Sequence, residues 1–243
     1  MMSIDRQMRL WSLVADHAHG VTPRVEHVGA AAMSTAGVDG VAVTVVLAAT
    51  PRETIYASDR VASRLEELTL TLGEGPGVDT FAGGPVLVAD LAAPGCLARW
   101  PAFAPAAVRA GVRAMFALPL QVGAIHLGVM SLHRAQPGDL DAAQLADVLV
   151  LADTACALLL DAADGSRPDG HQPAPAGLQH PEVHQATGMI LVQLGVSAAV
   201  ALVRLRAYAY AHDRRLRDVA ADVVARRLRF DDHAGSGDHE GAG

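Results

Sequence analysis

Two rhythms of apolar residues alternate along the chain. Recurrence every third or fourth position marks one face of a helix, and short runs rich in β-branched residues mark strands. Residues 4 to 18, IDRQMRLWSLVADHA, put Met8, Leu10, Trp11, Val14 and Ala15 on one helical face and predict a short docking helix. GVAVTVVLA (40 to 48), bounded by Gly40 and Pro51, predicts a central strand, and ETIYAS (53 to 58) follows at hairpin distance. RVASRLEELTLTL (60 to 72) returns to helical spacing at Val61, Leu65, Leu68 and Leu72 and stops at GEGPG. PVLVADL (85 to 91) predicts a further short strand. LARWPAFAPAAVRAG (97 to 111) predicts a helix punctuated by Pro101 and Pro105. VRAMFALPLQV (112 to 122) and IHLGVMSLHRA (125 to 135) predict two strands joined through Gly123, and residues 139 to 163 a long helix capped by Asp139 or Asp141. Helix, paired strands, helix, strand, helix, paired strands, helix is the order of an α+β domain, with an antiparallel sheet and helices on one face.

The pattern then lapses. DGSRPDGHQPAPAG (164 to 177) has almost nothing apolar to bury and reads as a linker. Residues 1 to 163 therefore form one domain, 164 to 179 a linker, 180 to 230 a second domain, and the Gly-rich acidic tail 231 to 243 is expected to be disordered. The second domain divides into three helices. Val183, Ala186, Ile190 and Leu194 line the first, which Gly195 stops. Ser197 caps the second, with Ala201, Leu202, Leu205, Tyr208 and Ala209 inward and Arg206 and Tyr210 on the other side. Leu216, Val219, Ala220, Val223 and Val224 line the third, flanked by Arg217 and Arg226. The alanines at 186, 201, 209 and 220 let the helices approach closely.

Composition changes the picture in one respect. The 243 residues are 51% hydrophobic and only 4% aromatic, so the cores are built from Ala, Val and Leu. The net charge of -7 argues against a general nucleic-acid binder. Its distribution does not, because residues 180 to 230 hold 8 arginines against 4 acids, a balance of +4 that leaves -11 for the rest. All 19 basic residues are arginine, a bias matching a GC-rich bacterial genome. Two distant cysteines, Cys96 in a loop and Cys156 in an apolar helix, and no leader pattern suit a reduced cytoplasm. DVLVLADTACALLLDAA, interrupted by Asp153 and ended by Asp161, falls short of a bilayer span, so no membrane segment is expected.

EVHQATGMI (182 to 190, with Ala186 and Gly188), ALVRLRAYA (201 to 209, with Ala201, Leu205, Arg206 and Ala209) and LRDVAADVV (216 to 224, with Leu216, Val219, Ala220 and Val223) together resemble the ANTAR domain. The resemblance implies a three-helix RNA-binding module of bacterial antitermination regulators, which binds paired hairpins in a nascent transcript. Thr187 stands where many members carry Lys. LGEGPGVDT (72 to 80), GPVLVADL (84 to 91), RWPAF (99 to 103) and ALPLQVGAIHLGVMSL (117 to 132) resemble a GAF domain of the kind fused to ANTAR modules. That implies a sensor for an unidentified small molecule; Gly77 stands where related chains often have Cys, so thiol-based sensing is not implied.

Arg206, Arg214, Arg215 and Arg217 surround the turn between the second and third helices and, with Tyr210, are the candidate RNA contacts, guanidinium to phosphate and ring to unpaired base. Asp213 and Asp218 beside them offer ion pairs that would make the arginines a solvated turn. Two copies would gain by effective concentration, so a homodimer is expected, through the first helix and the long helix 139 to 163. GEGPG lacks the spacing and lysine of a phosphate loop and reads as a helix-to-helix turn. The 11 histidines are scattered, DHAH (16 to 19) reads as a solvated helix end, and no nucleophile, base and acid form a set. No enzyme, metal or cofactor is expected. The alternatives are a DNA-binding helix-turn-helix regulator and a ligand-binding or dimerisation module without nucleic-acid binding.

Overall fold

The computed structural model describes residues 4–46, 52–123, 125–164 and 181–230. The chain divides into two compact units, Met1–Gln179 and His180–Gly243. In the first, α1 (Ile4–His17) and α2 (Val25–Ala36) lead into β1 (Gly40–Val45) and β2 (Glu53–Ala57). Then come α3 (Arg60–Leu72), α4 (Pro76–Gly83), β3 (Val86–Val88), α5 (Pro94–Arg99), α6 (Phe103–Arg109), β4 (Ala114–Val122), β5 (Ile125–Arg134) and α7 (Ala142–Asp164). The five strands lie in the order β2-β1-β5-β4-β3, and every neighbouring pair is antiparallel. The α+β class and the antiparallel sheet agree with the sequence reading.

The sheet is covered on both faces, not one. Val41, Val43, Ala114, Phe116, Leu118, Met130 and Leu132 pack with Leu10, Val14, Val28, Leu151 and Ala155 of α1, α2 and α7. Met115, one residue out of step with Phe116, turns the other way, into a second core with Leu65 and Leu68 of α3, Trp100 between α5 and α6, and Phe103 and Ala107 of α6. Burying a side chain of the size of Phe116 or Leu132 contributes about 2 kcal/mol. Strands buried on both sides lose the polar alternation that would reveal a two-faced sheet.

Local chemistry explains the helix ends. The Asp59 carboxylate accepts from the Val61 and Ala62 amides at 2.6 and 2.8 Å and starts α3. Gly73 ends it at φ 68, where only glycine sits without strain. Pro76 then opens α4, so GEGPG does act as a helix-to-helix turn. Asp141, the second of the two proposed caps, accepts from Ala143 and Gln144 at 2.8 Å.

Four expectations need correction. Both α2 and α4 are missing from the order read from sequence. The helix expected over 97 to 111 is two short ones, parted at Trp100–Ala102, with Glu74 capping the second by accepting from Ala102 and Phe103 at 2.7 and 2.6 Å. Cys96 therefore lies in α5, not in a loop. The docking face of α1 is Leu10 and Val14, whereas Met8 (59% exposed) and Trp11 (47%) point outward with Ala15. Arg6 and Arg9 hold α1 down through the buried Asp147 of α7, at 2.9 and 2.7 Å. By length and composition α7 can cross a membrane, since Ala142–Ala162 has a mean hydropathy of 1.8 despite Asp153 and Asp161. In the fold its Val148, Leu151, Ala152, Ala155 and Cys156 are buried in the first core.

The second unit is three helices, α8 (Pro181–Leu194), α9 (Ala198–Ala211) and α10 (Leu216–Val224), each packed on the other two. Ser197 caps α9 and Gly195, at φ 63, follows α8. The interior is Val183, Ala186, Thr187, Ile190, Ala201, Leu205, Ala209, Leu216, Val219, Ala220 and Val223. Thus the four alanines are inward as expected, and small side chains set close helix contacts. Gly188 is the exception: it is exposed, and an added Cβ would touch nothing within 4 Å. Leu194, Leu202, Tyr208 and Val224 are half-buried. The linker over 165 to 179 and the tail lie outside the described residues.

Candidate nucleic-acid interface

The arginine set gathers where α9 ends and α10 begins. Asp213 adopts a left-handed φ of 48 at this turn, and Arg214 and Arg215 follow it. Arg206 is half-buried one turn before Tyr210 on α9; Tyr210 is 64% exposed. Arg215 and Arg217 are exposed. Arg217 lies 3.6 Å from Asp218, the neighbouring acid expected to offset it. Arg214, however, takes a partner eight residues on: its Nη2 donates to Asp222 at 2.6 Å. Asp222 also accepts from Nε and Nη2 of Arg227 at 2.8 and 2.7 Å. The hydrogen bond from Arg214, then that from Arg227, holds the Asp222 carboxyl below the usual carboxylate range, and Asp222 raises Arg214 in return.

Sequence reasoning missed Asp222, Arg227 and the aromatic group of Tyr208, His212 and Phe230. The Tyr208 ring stacks on His212 with centroids 4.0 Å apart, and Phe230 meets it edge-on at 5.5 Å. His212 Nδ1 lies 2.8 Å from the Tyr208 carbonyl, and Gln193 of α8 accepts from the Phe230 amide at 3.1 Å. The Tyr208–His212 pair sits at i,i+4 spacing and was legible. The eight-residue reach from Arg214 to Asp222 was not, because it depends on the turn. Thr187 is buried and donates to the Val183 carbonyl at 2.7 Å, so its position faces the bundle interior and not a phosphate.

The first unit has a polar interior between β1, β5 and α3. Thr44 donates to the buried Glu66 at 2.7 Å and pairs with Thr54 at 3.1 Å. Arg52 reaches the Gly77 carbonyl at 3.0 Å, and burial pulls its guanidinium below its usual value against the pull of Glu66. A Cβ at Gly77 would stand 3.2 Å from that guanidinium, so glycine leaves it room. Ser131 Oγ is buried with no hydrogen-bond partner among the described residues. Cys96 and Cys156 both have thiols pushed up, first by burial, which disfavours the thiolate.

Comparison with known proteins agrees with this division. Residues 178–224 match the family model of the ANTAR domain. The first unit resembles the GAF domain of a phosphoenolpyruvate-protein phosphotransferase from Coxiella burnetii, with 15% identity over 66% of this chain and 99% of that one, at a TM-score of 0.50. The GAF domain of the corresponding Acinetobacter enzyme gives 13% identity over 69% and 100%, at a TM-score of 0.47. The GAF-B domain of DevS from Mycobacterium smegmatis gives 20% over 57% and 91%, at 0.41. The comparison with curated proteins returns no match. The chain thus joins a unit of GAF fold to an ANTAR domain.

Proposed function

We propose that this protein is a cytoplasmic, non-enzymatic transcription antitermination regulator, in which the GAF-fold unit controls an ANTAR domain that binds hairpins in nascent RNA. The observation that carries the reading is the placement of Arg214, Arg215 and Arg217 around the α9–α10 turn, with the exposed Tyr210 close by, on a domain of the ANTAR family. Phosphates are neutralised by the guanidiniums and an unpaired loop base stacks on Tyr210. The reading includes a homodimer, since paired hairpins call for two copies. Ile4 (71% exposed), Met8 and Trp11 recur on the outer side of α1 and offer its surface.

The test is binding of hairpin RNA by the full chain over a salt series. Replacing Arg214, Arg215 and Arg217 together by Ala should make the slope of log affinity against log salt shallower by about 2, at somewhat under one unit per phosphate contact. Tyr210→Ala should weaken binding by about 1 to 3 kcal/mol with little change in slope. Equal binding by wild type and the triple variant at near-physiological salt removes these residues from the interface. Tighter binding of duplex DNA than of hairpins would favour a helix-turn-helix regulator, and no binding of either would favour a ligand-binding or dimerisation module.

A further inference from the structure

Two backbone turns in the second unit adopt a conformation that side chains rarely take, and each delivers an arginine to the same carboxylate. Asp213, at φ 48, precedes Arg214, and Arg226, at φ 58, precedes Arg227. Left-handed φ is uncommon for a residue other than glycine and costs free energy, more so for arginine than for aspartate. Both stand just past a helix end, where a left-handed residue closes the helix: the Arg214 amide donates to the Ala209 carbonyl of α9 at 2.9 Å, and the Arg227 amide to the Asp222 carbonyl of α10 at 2.8 Å. The side chains that follow these turns meet: Arg214, before α10, and Arg227, after it, converge on Asp222 at 2.6 to 2.8 Å. An exposed ion pair of this kind adds little to stability. The result is a pair of guanidiniums in a defined geometry, with one net positive charge. Tyr208 acts electrostatically on Arg214. His212, stacked on Tyr208 at 4.0 Å and 18°, is itself exposed and ends the stack. Arg227 and Phe230 lie beyond the matched ANTAR segment, which ends at 224.

We infer that Asp222, Arg214, Arg227 and the Tyr208–His212 stack form a subsite for one unpaired nucleotide of RNA, whose base continues the stack on His212 and whose phosphate lies on the two guanidiniums. The inference rests on the proposed RNA function and assigns it a second place for a base besides Tyr210. Asp222 is a positioning residue: it repels the phosphate but holds both arginines where the phosphate can use them together.

The probe is a hairpin enriched on the full wild-type chain from a pool of hairpins with randomised loops. If no hairpin is enriched, the proposed RNA function fails and takes the subsite with it. With an enriched hairpin in hand, His212→Ala should weaken binding about tenfold, the loss expected for one stacked base, while His212→Phe stays within about twofold of wild type. Replacing the loop nucleotides one at a time by abasic residues should reveal one position at which wild type and His212→Ala bind alike. Asp222→Asn removes a negative charge and on charge alone would tighten binding; the subsite requires it to weaken binding about as much as Arg227→Ala does. Thermal melting of each variant separates loss of the site from loss of the fold. Folded His212→Ala binding as wild type does, or folded Asp222→Asn binding more tightly, would overturn the subsite while leaving the RNA function standing.

Discussion

His133 is 5% exposed on β5, with Asp59 Oδ2 4.0 Å from its Nε2, Asp39 acting on it from the start of β1 and Glu66 lining the same cleft. Burial outweighs the two aspartates and lowers the imidazole pKa. The unfolded chain takes up a proton near pH 6.5, whereas the folded unit accepts it only at lower pH. The stabilisation is therefore complete above about pH 6.5 and is lost as pH falls through that value toward the lowered one. The melting temperature of the first unit should drop between about pH 7 and 5.5, and less so in His133→Gln; an unchanged drop in that variant would assign the effect to other groups. In the second unit, Ala209 and Ala220 are fully buried. Ala209→Trp or Ala220→Trp should cost at least about 1 to 3 kcal/mol by overpacking, much of the margin of so small a bundle. Two melting transitions becoming one, with that of the first unit retained, is the expected result. These alanines were legible from their spacing. Gly188 was not, since a glycine inside a helix can mark a close contact or nothing at all.

Among the elements, α3 was legible to the residue, because it has strong amphipathic spacing, a cap in Asp59 and a stop in Gly73. Asp59→Ala removes the acceptor for two amides and should cost about 1 kcal/mol, measured as a lower urea midpoint of the first unit; an unchanged midpoint would mean that Ser58 or water takes over the cap. By contrast, α2 went unread. Its buried face is Val28, Ala31, Ala32 and Ala36, which carries a weak apolar signal, and Gly29 within it reads as a break. In the fold Gly29 lies against the Tyr56 ring of β2, where a Cβ has no room. A helix made for close packing on a strand thus looks like a loop until the strand is placed.

For the whole molecule, among the described residues every member of both cores of the first unit lies within residues 4 to 164. A fragment ending at Asp164 should fold alone, with the helix and sheet content of the first unit by circular dichroism and a cooperative melt. An unfolded fragment beside a folded full chain would show that the first unit depends on residues beyond Asp164.

Periodicity, turn residues and charge by themselves determined that there are two units, that the first is α+β with an antiparallel sheet, that the second is a three-helix bundle, and that positive charge is concentrated there. Each of these comes from neighbours within a few residues, where spacing alone dictates which side chains share a face. Only the tertiary structure decided that the sheet is covered on both sides, that Trp11 points outward while Asp147 holds α1, and that Arg214 belongs with Asp222 and Arg227 instead of with the adjacent Asp213. These contacts join segments through turns, and a turn's direction depends on backbone angles, such as those at Asp213 and Arg226, that residue identity does not dictate. The arginines were countable from the sequence; the carboxylate that gathers two of them was set by the fold.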